Sequence, residues 1–202
     1  MLVALAAPIL LSALREEFIP NYASRMLSPM EGSIARPRLV PVRRRVPVRV
    51  GVVADPEFVT EDRLDAVRAA CWKWTIAVGH ELAFSFVRVR HPGDADVIFT
   101  FGRIPEGRTL RGLTVERKGW AAIDLAVEDA EGVALPLREV LRVATHEIGH
   151  ALGIWGHSPD RSDIMSTEMA TTDVSLADAN TLRLAYLPLR KGPERSRTES
   201  RS

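Results

Sequence analysis

At 202 residues the chain fits a single domain with tails, and a hydrophobic content of 46% is ordinary for a folded protein with a sizeable core. A formal net charge of +1 points to no class of partner, and a single cysteine, Cys71, excludes an intramolecular disulfide.

In chain order, residues 2–14 (LVALAAPILLSAL) form an apolar run about as long as a signal-peptide core. The run is too short for a membrane span, which needs roughly 20 apolar residues. Export to the cell envelope or beyond is the expectation, with a membrane-facing anchor or a plain cytoplasmic helix as the alternatives. Residues 19–47 are rich in proline, arginine and serine and read as a linker without a core of their own. Arg36, Arg38, Arg43, Arg44, Arg45 and Arg49 occur with no acid between them. No aromatic residue interleaves with them, so a solvated charged face is expected rather than a nucleic-acid surface.

The expected organisation is therefore a leader and linker over 1–45, a domain over 46–189 and a charged, disordered tail over 190–202. Within the domain, VPVRVGVVAD predicts a first strand. From Glu61 to Val78 the apolar positions Leu64, Val67, Cys71, Trp74 and Val78 recur at helical spacing, with Trp72 and Trp74 expected in the core. Alternation predicts strands over 84–90, 95–101 and 120–127, and a short one around Leu113 to Val115. Pro136 opens a helix whose stripe Leu137, Leu141, Ala144, Ile148 and Ala151 is expected to face a core, with His146 and His150 on the other side. A last helix follows Ser175, its N-cap, with Asp178 completing a capping-box-like start.

The chemistry concentrates in THEIGHALGIWGHSPDRSDIM, residues 145–165. His146 and His150, four apart on a helix, can point at one ion, and Glu147 lies beside them. Gly153 suits a helix C-cap, after which the chain can turn back and bring in His157. Three protein nitrogens and one open position describe a catalytic zinc site rather than a closed structural one. The spacing predicts a zinc peptidase in which Glu147 is the general base.

These residues resemble the metzincin metallopeptidases, and the matrixins among them. The metzincin pattern is H-E-x-x-H-x-x-G-x-x-H followed by a Met-turn. His146, Glu147, His150 and Gly153 match it position by position, whereas His157 stands one residue later than the pattern places it. HSPDRSDIM, with Met165 eight residues past His157, resembles the matrixin Met-turn sequence, and LADANTLRLAY resembles the matrixin C-terminal helix. HEIGHALGIWGHS is similar to bacterial members that carry the same extra residue.

The resemblance implies an α+β, zincin-like fold. It comprises a twisted mixed sheet with a long helix and an active-site helix, then a small C-terminal helical subdomain after the Met-turn. It implies zinc held by His146, His150 and His157, Met165 as a floor beneath them, and a peptide or protein substrate. It also implies strand addition to a sheet edge, for which Arg111 to Glu116 is the candidate. No histidine lies between His91 and His146, so the family's additional structural zinc lacks ligands here. Calcium sites stay open at Asp94, Asp96, Asp124, Glu128 and Asp129, although solvated loop acids are the commoner case. The expected protein is a monomeric endopeptidase. A zinc-bound peptide-recognition module and a hydrolase of non-peptide amides are the alternatives. The displaced His157, with Asp160 as a substitute ligand, motivates the first of these.

Overall fold

The computed structural model describes residues 19–28, 36–40, 46–79, 82–104 and 109–186. The apolar run 2–14, Arg43 to Arg45, His80 and the tail 190–202 lie outside the described residues.

Five strands form one mixed sheet: β2 (Val48–Val52), β3 (Phe84–Phe86), β4 (Val97–Arg103), β5 (Gly112–Arg117) and β6 (Trp120–Glu128). Their spatial order is β3-β2-β4-β6-β5. β2, β3, β4 and β6 run parallel, and β5 pairs antiparallel with β6, so among the described residues β5 is an edge strand. The period-two pattern of β6 buries Ala121, Ile123, Leu125 and Val127 on one face. β3 is shorter than the alternation over 84–90 predicts. Val87 N makes a last bond to Val50 O, and the amides of Arg90 and His91 then turn to the Asp94 carboxylate.

Two helices cover the buried face. In α1 (Glu61–Val78) Thr60 caps the start by accepting from Arg63 N, and Gly79, at φ 83°, ends it. The expected stripe is buried at Val67, Cys71, Trp74 and Val78. Trp74 is fully buried and donates its indole N–H to Thr145 O, 2.8 Å away, which locks α1 to the motif helix. Trp72 departs from the expectation: with Ile76 it lies on the solvent face, because residues two apart on a helix cannot share a stripe.

The motif helix is α2 (Leu137–Leu152). Its core contacts are made by Val140, Val143, Ala144, Ile148, Ala151 and Leu152. Leu137, expected in that stripe, is exposed in the first turn, ahead of the point where the helix enters the molecule. From Val143 onward every residue of α2 is buried, so the histidine face is buried too and not open as a two-sided helix would have it. Gly153, at φ 125°, stops the helix where the sequence predicts, its N–H reaching Gly149 O and His150 O.

After the turn carrying Met165, α3 (Leu176–Tyr186) completes the domain. Its predicted start is a reciprocal capping box, with Asp178 N donating to Ser175 Oγ and Ser175 N to Asp178 Oδ2. A second, two-stranded antiparallel sheet joins β1 (Arg38–Leu39) to β7 (Ile154–Trp155). Residues 19–28 and 36–40, read above as linker, pack on the domain, with Tyr22 buried in its core and Met26 and Leu39 against it. No described helix is long and apolar enough to cross a membrane.

Candidate metal centre

The three histidines of the motif meet, with one ring nitrogen from each lying within 4.8 Å of the others. Among the described residues this is the only cluster of three or more potential ligand side chains. Two come from successive turns of α2. The third is returned by a chain reversal through β7, and the extra residue before His157 does not keep it out. Asp160, the substitute considered for it, is instead exposed and accepts from Ser162 N and Oγ. The displaced histidine therefore no longer argues for a non-cutting module.

Each imidazole is oriented by a backbone carbonyl behind it. His146 Nδ1 faces Ile164 O at 2.8 Å, His150 Nδ1 faces Ile154 O at 2.6 Å, and His157 Nδ1 faces Ser28 O at 3.1 Å. A carbonyl can only accept, so all three Nδ1 atoms carry the proton and all three Nε2 lone pairs are left for an ion. Burial, reinforced by the neighbouring rings, holds His146 well below the usual imidazole value, and His150 is lowered to about 4. Burial lowers His157 as well. Neutral rings with one tautomer and converging lone pairs fit a zinc ion with a fourth position free.

Glu147 is buried beside the cluster. Loss of solvent raises its carboxyl to about 7, opposed by the hydroxyl of Thr114, which donates to Oε2 at 2.6 Å. Thr114 lies on β5 and was not singled out in the sequence, where a lone threonine in a short strand carries no signal. Gly112 faces the same carboxylate. A Cβ there would stand 2.6 Å from Glu147 Oε1 and from Val143 Cγ1, so glycine lets the edge strand sit directly on α2.

Met165 is fully buried, with its sulfur against Gly149 of the motif helix. A Cβ at Gly149 would collide with its sulfur and lie 2.8 Å from Trp74 Cζ2. Gly149→Ala gains about 1 kcal/mol of helix propensity but overpacks a site that costs about 1–3 kcal/mol. The methionine tip can move and the buried indole cannot. We expect a net loss of stability with a shifted Met165, read by denaturant unfolding; a more stable variant would show that the contact is slack.

The Met-turn hangs from one carboxylate. Asp178 accepts from Ile164 N at 2.9 Å, Met165 N at 3.3 Å, Ser175 N at 2.9 Å and Tyr22 Oη at 2.8 Å. Burial raises its pKa against those bonds, and burial likewise raises that of Tyr22. Asp163 accepts from the hydroxyls of Ser158 and Ser175 and ties the loop to α3.

Four of the five acids considered for calcium are engaged by protein donors. Asp96 pairs with Arg49, Asp94 accepts from Arg90 and His91 amides, Glu128 pairs with Arg63 and Arg103, and Asp129 accepts from Val133 N. Cys71 is buried in α1, and burial raises its thiol pKa.

In comparisons with known proteins, the family model described as matrixin, of the M10 peptidases, matches residues 51–186. The search of curated proteins returned no match.

Proposed function

The chain belongs to the matrixin family, and from that premise we propose that it is an endopeptidase whose zinc is held by His146, His150 and His157 and whose general base is Glu147. The coarser part needs no proposal: a matrixin is a zinc metallopeptidase, a hydrolase of peptides or proteins. The observation that carries the finer part is the juxtaposition of Glu147, the histidine cluster and the edge strand β5 through the Thr114 hydroxyl.

Zinc bound there would supply Lewis acidity, polarising the peptide carbonyl and making water in the open position more acidic. The chain's own residues do the rest. The three neutral imidazoles keep their Nε2 lone pairs on the ion because the carbonyls behind them hold Nδ1–H. Glu147 takes a proton from the attacking water on a carboxylate oxygen and delivers it to the leaving amine. Thr114 fixes that carboxylate against the edge strand. β5 offers its outer backbone groups to an extended peptide, which strand addition would align over Glu147. Met165 and Trp74 support the ligands from below without touching substrate. Export or cell-envelope placement belongs to the same proposal and rests on residues 2–14 alone.

Mass-spectrometric mapping of cuts in a mixed peptide library tests this reading. The purified zinc-loaded protein should cut internal bonds, lose the activity to a chelator and regain it on zinc addition. Zinc-loaded protein that leaves every peptide intact, or trims only terminal residues, would refute it.

A further inference from the structure

The residues ahead of the family match, 19–28 and 36–40, touch the candidate centre at four levels. Pro20 O accepts from Asn180 Nδ2 and Tyr22 N donates to Thr181 Oγ1, fastening the segment to α3, while Tyr22 Oη reaches the carboxylate that holds Ile164 and Met165. Leu27 and His157 then exchange both backbone bonds, at 2.8 and 3.1 Å. The next carbonyl, Ser28 O, holds His157 Nδ1. Further on, Arg38 and Leu39 pair with Trp155 and Ile154, and Val40 N donates to Gly153 O. Arg38 lies over the Trp155 ring, which stacks on His150, and its guanidinium bridges to Glu116 on β5.

The extra residue of the histidine loop belongs to this contact. Gly156 does not adopt a left-handed φ, so conformational freedom is not why glycine stands there. Space is the reason: a Cβ would lie 2.9 Å from Pro37 Cβ, 3.0 Å from Leu27 O and 3.2 Å from Met26 Cβ. The loop that is one residue longer than the metzincin pattern is thus the loop on which this segment is seated.

We propose that residues 19–28 and 36–40 form a strap that positions the third ligand. His157 is set by an N-terminal segment outside the matched family region, with Leu27 and Ser28 as its positioning residues. The alternative is that the segment only adds stability to the domain. The proposal rests on reading the histidine cluster as a zinc site, and its test separates the two.

Leu27→Pro in the full chain removes the amide that donates to His157 O. Met26 already has φ −57° and ψ 135°, the conformation that a following proline favours. Gly156→Ala attacks the same seat from the other side and serves if the proline variant does not fold. Zinc affinity is measured by chelator competition, with the visible spectrum of the cobalt(II) form reporting the ligand set. Each variant is also combined with His157→Ala. Loss of a group that orients a ligand typically weakens metal binding about 10–100-fold. We expect such a loss in the single variants, a cobalt spectrum shifted towards that of His157→Ala, and no additional loss in the combinations. Unchanged affinity would overturn the proposal, as would the same fold-loss repeated on the His157→Ala background. Absence of zinc and cobalt binding in the wild type would refute the metal reading and the strap's role with it.

Discussion

Glu147→Gln is expected to retain zinc and lose about 10²–10⁴-fold in kcat, the usual contribution of a positioned general base. The substitution preserves size, and its amide oxygen can still accept from Thr114 at the 2.6 Å position. What disappears is the basic oxygen. The Glu147 carboxyl is raised to about 7 by burial, with the Thr114 hydroxyl pulling the other way, and the three clustered ligand side chains are all histidines. Zinc content and thermal unfolding should match the wild type, which separates a chemical defect from a folding one. Activity within a few-fold of wild type would remove Glu147 from the proton transfers.

The second large effect is expected at Asp178, remote from any reacting atom. Asp178→Ala leaves three backbone amides and the Tyr22 hydroxyl without their acceptor, in surroundings where Asp178 itself and Tyr22 are buried. One unsatisfied buried donor costs about 1–3 kcal/mol. Four donors sharing one carboxylate are not additive, and we expect a total of about 3–5 kcal/mol. That is a large share of the about 5–15 kcal/mol that stabilises a typical domain. Asp178→Asn, which keeps one acceptor oxygen, should lose less. Because Ile164 O orients His146 and Ile164 N hangs from Asp178, zinc affinity should fall together with stability. Denaturant unfolding with chelator present measures the first quantity and chelator competition the second. A variant as stable as wild type would show that the Met-turn is held by Asp163 and packing alone.

The legible part of this protein lies where chemistry depends on short spacing. His146, Glu147 and His150 were readable because one helix sets their relation, Gly153 because a helix end needs a left-handed φ, and Ser175 with Asp178 because a capping box spans three residues. The edge candidate Arg111 to Glu116 overlaps β5, Gly112–Arg117; the strand is a local pattern, whereas its place at the sheet edge was implied by the family resemblance. Burial around α2 was only half legible. The stripe gave Ala144, Ile148 and Ala151, but Leu137 is exposed and the histidine face is enclosed, since neighbours in space decide both.

By itself, then, the amino-acid sequence determined the ligand-bearing helix, the turn that follows it and the family to which both belong. The tertiary structure alone decided that Thr114 bonds Glu147, that Asp178 suspends the Met-turn, and that an apparent linker holds His157 through Leu27 and Ser28. The physical reason is twofold. Tyr22 and Asp178 are 156 residues apart, and Ser28 and His157 are 129 apart, so only packing of the whole chain selects them as partners. The groups that orient the three histidines are backbone carbonyls, which every residue possesses and which therefore leave no mark in a sequence.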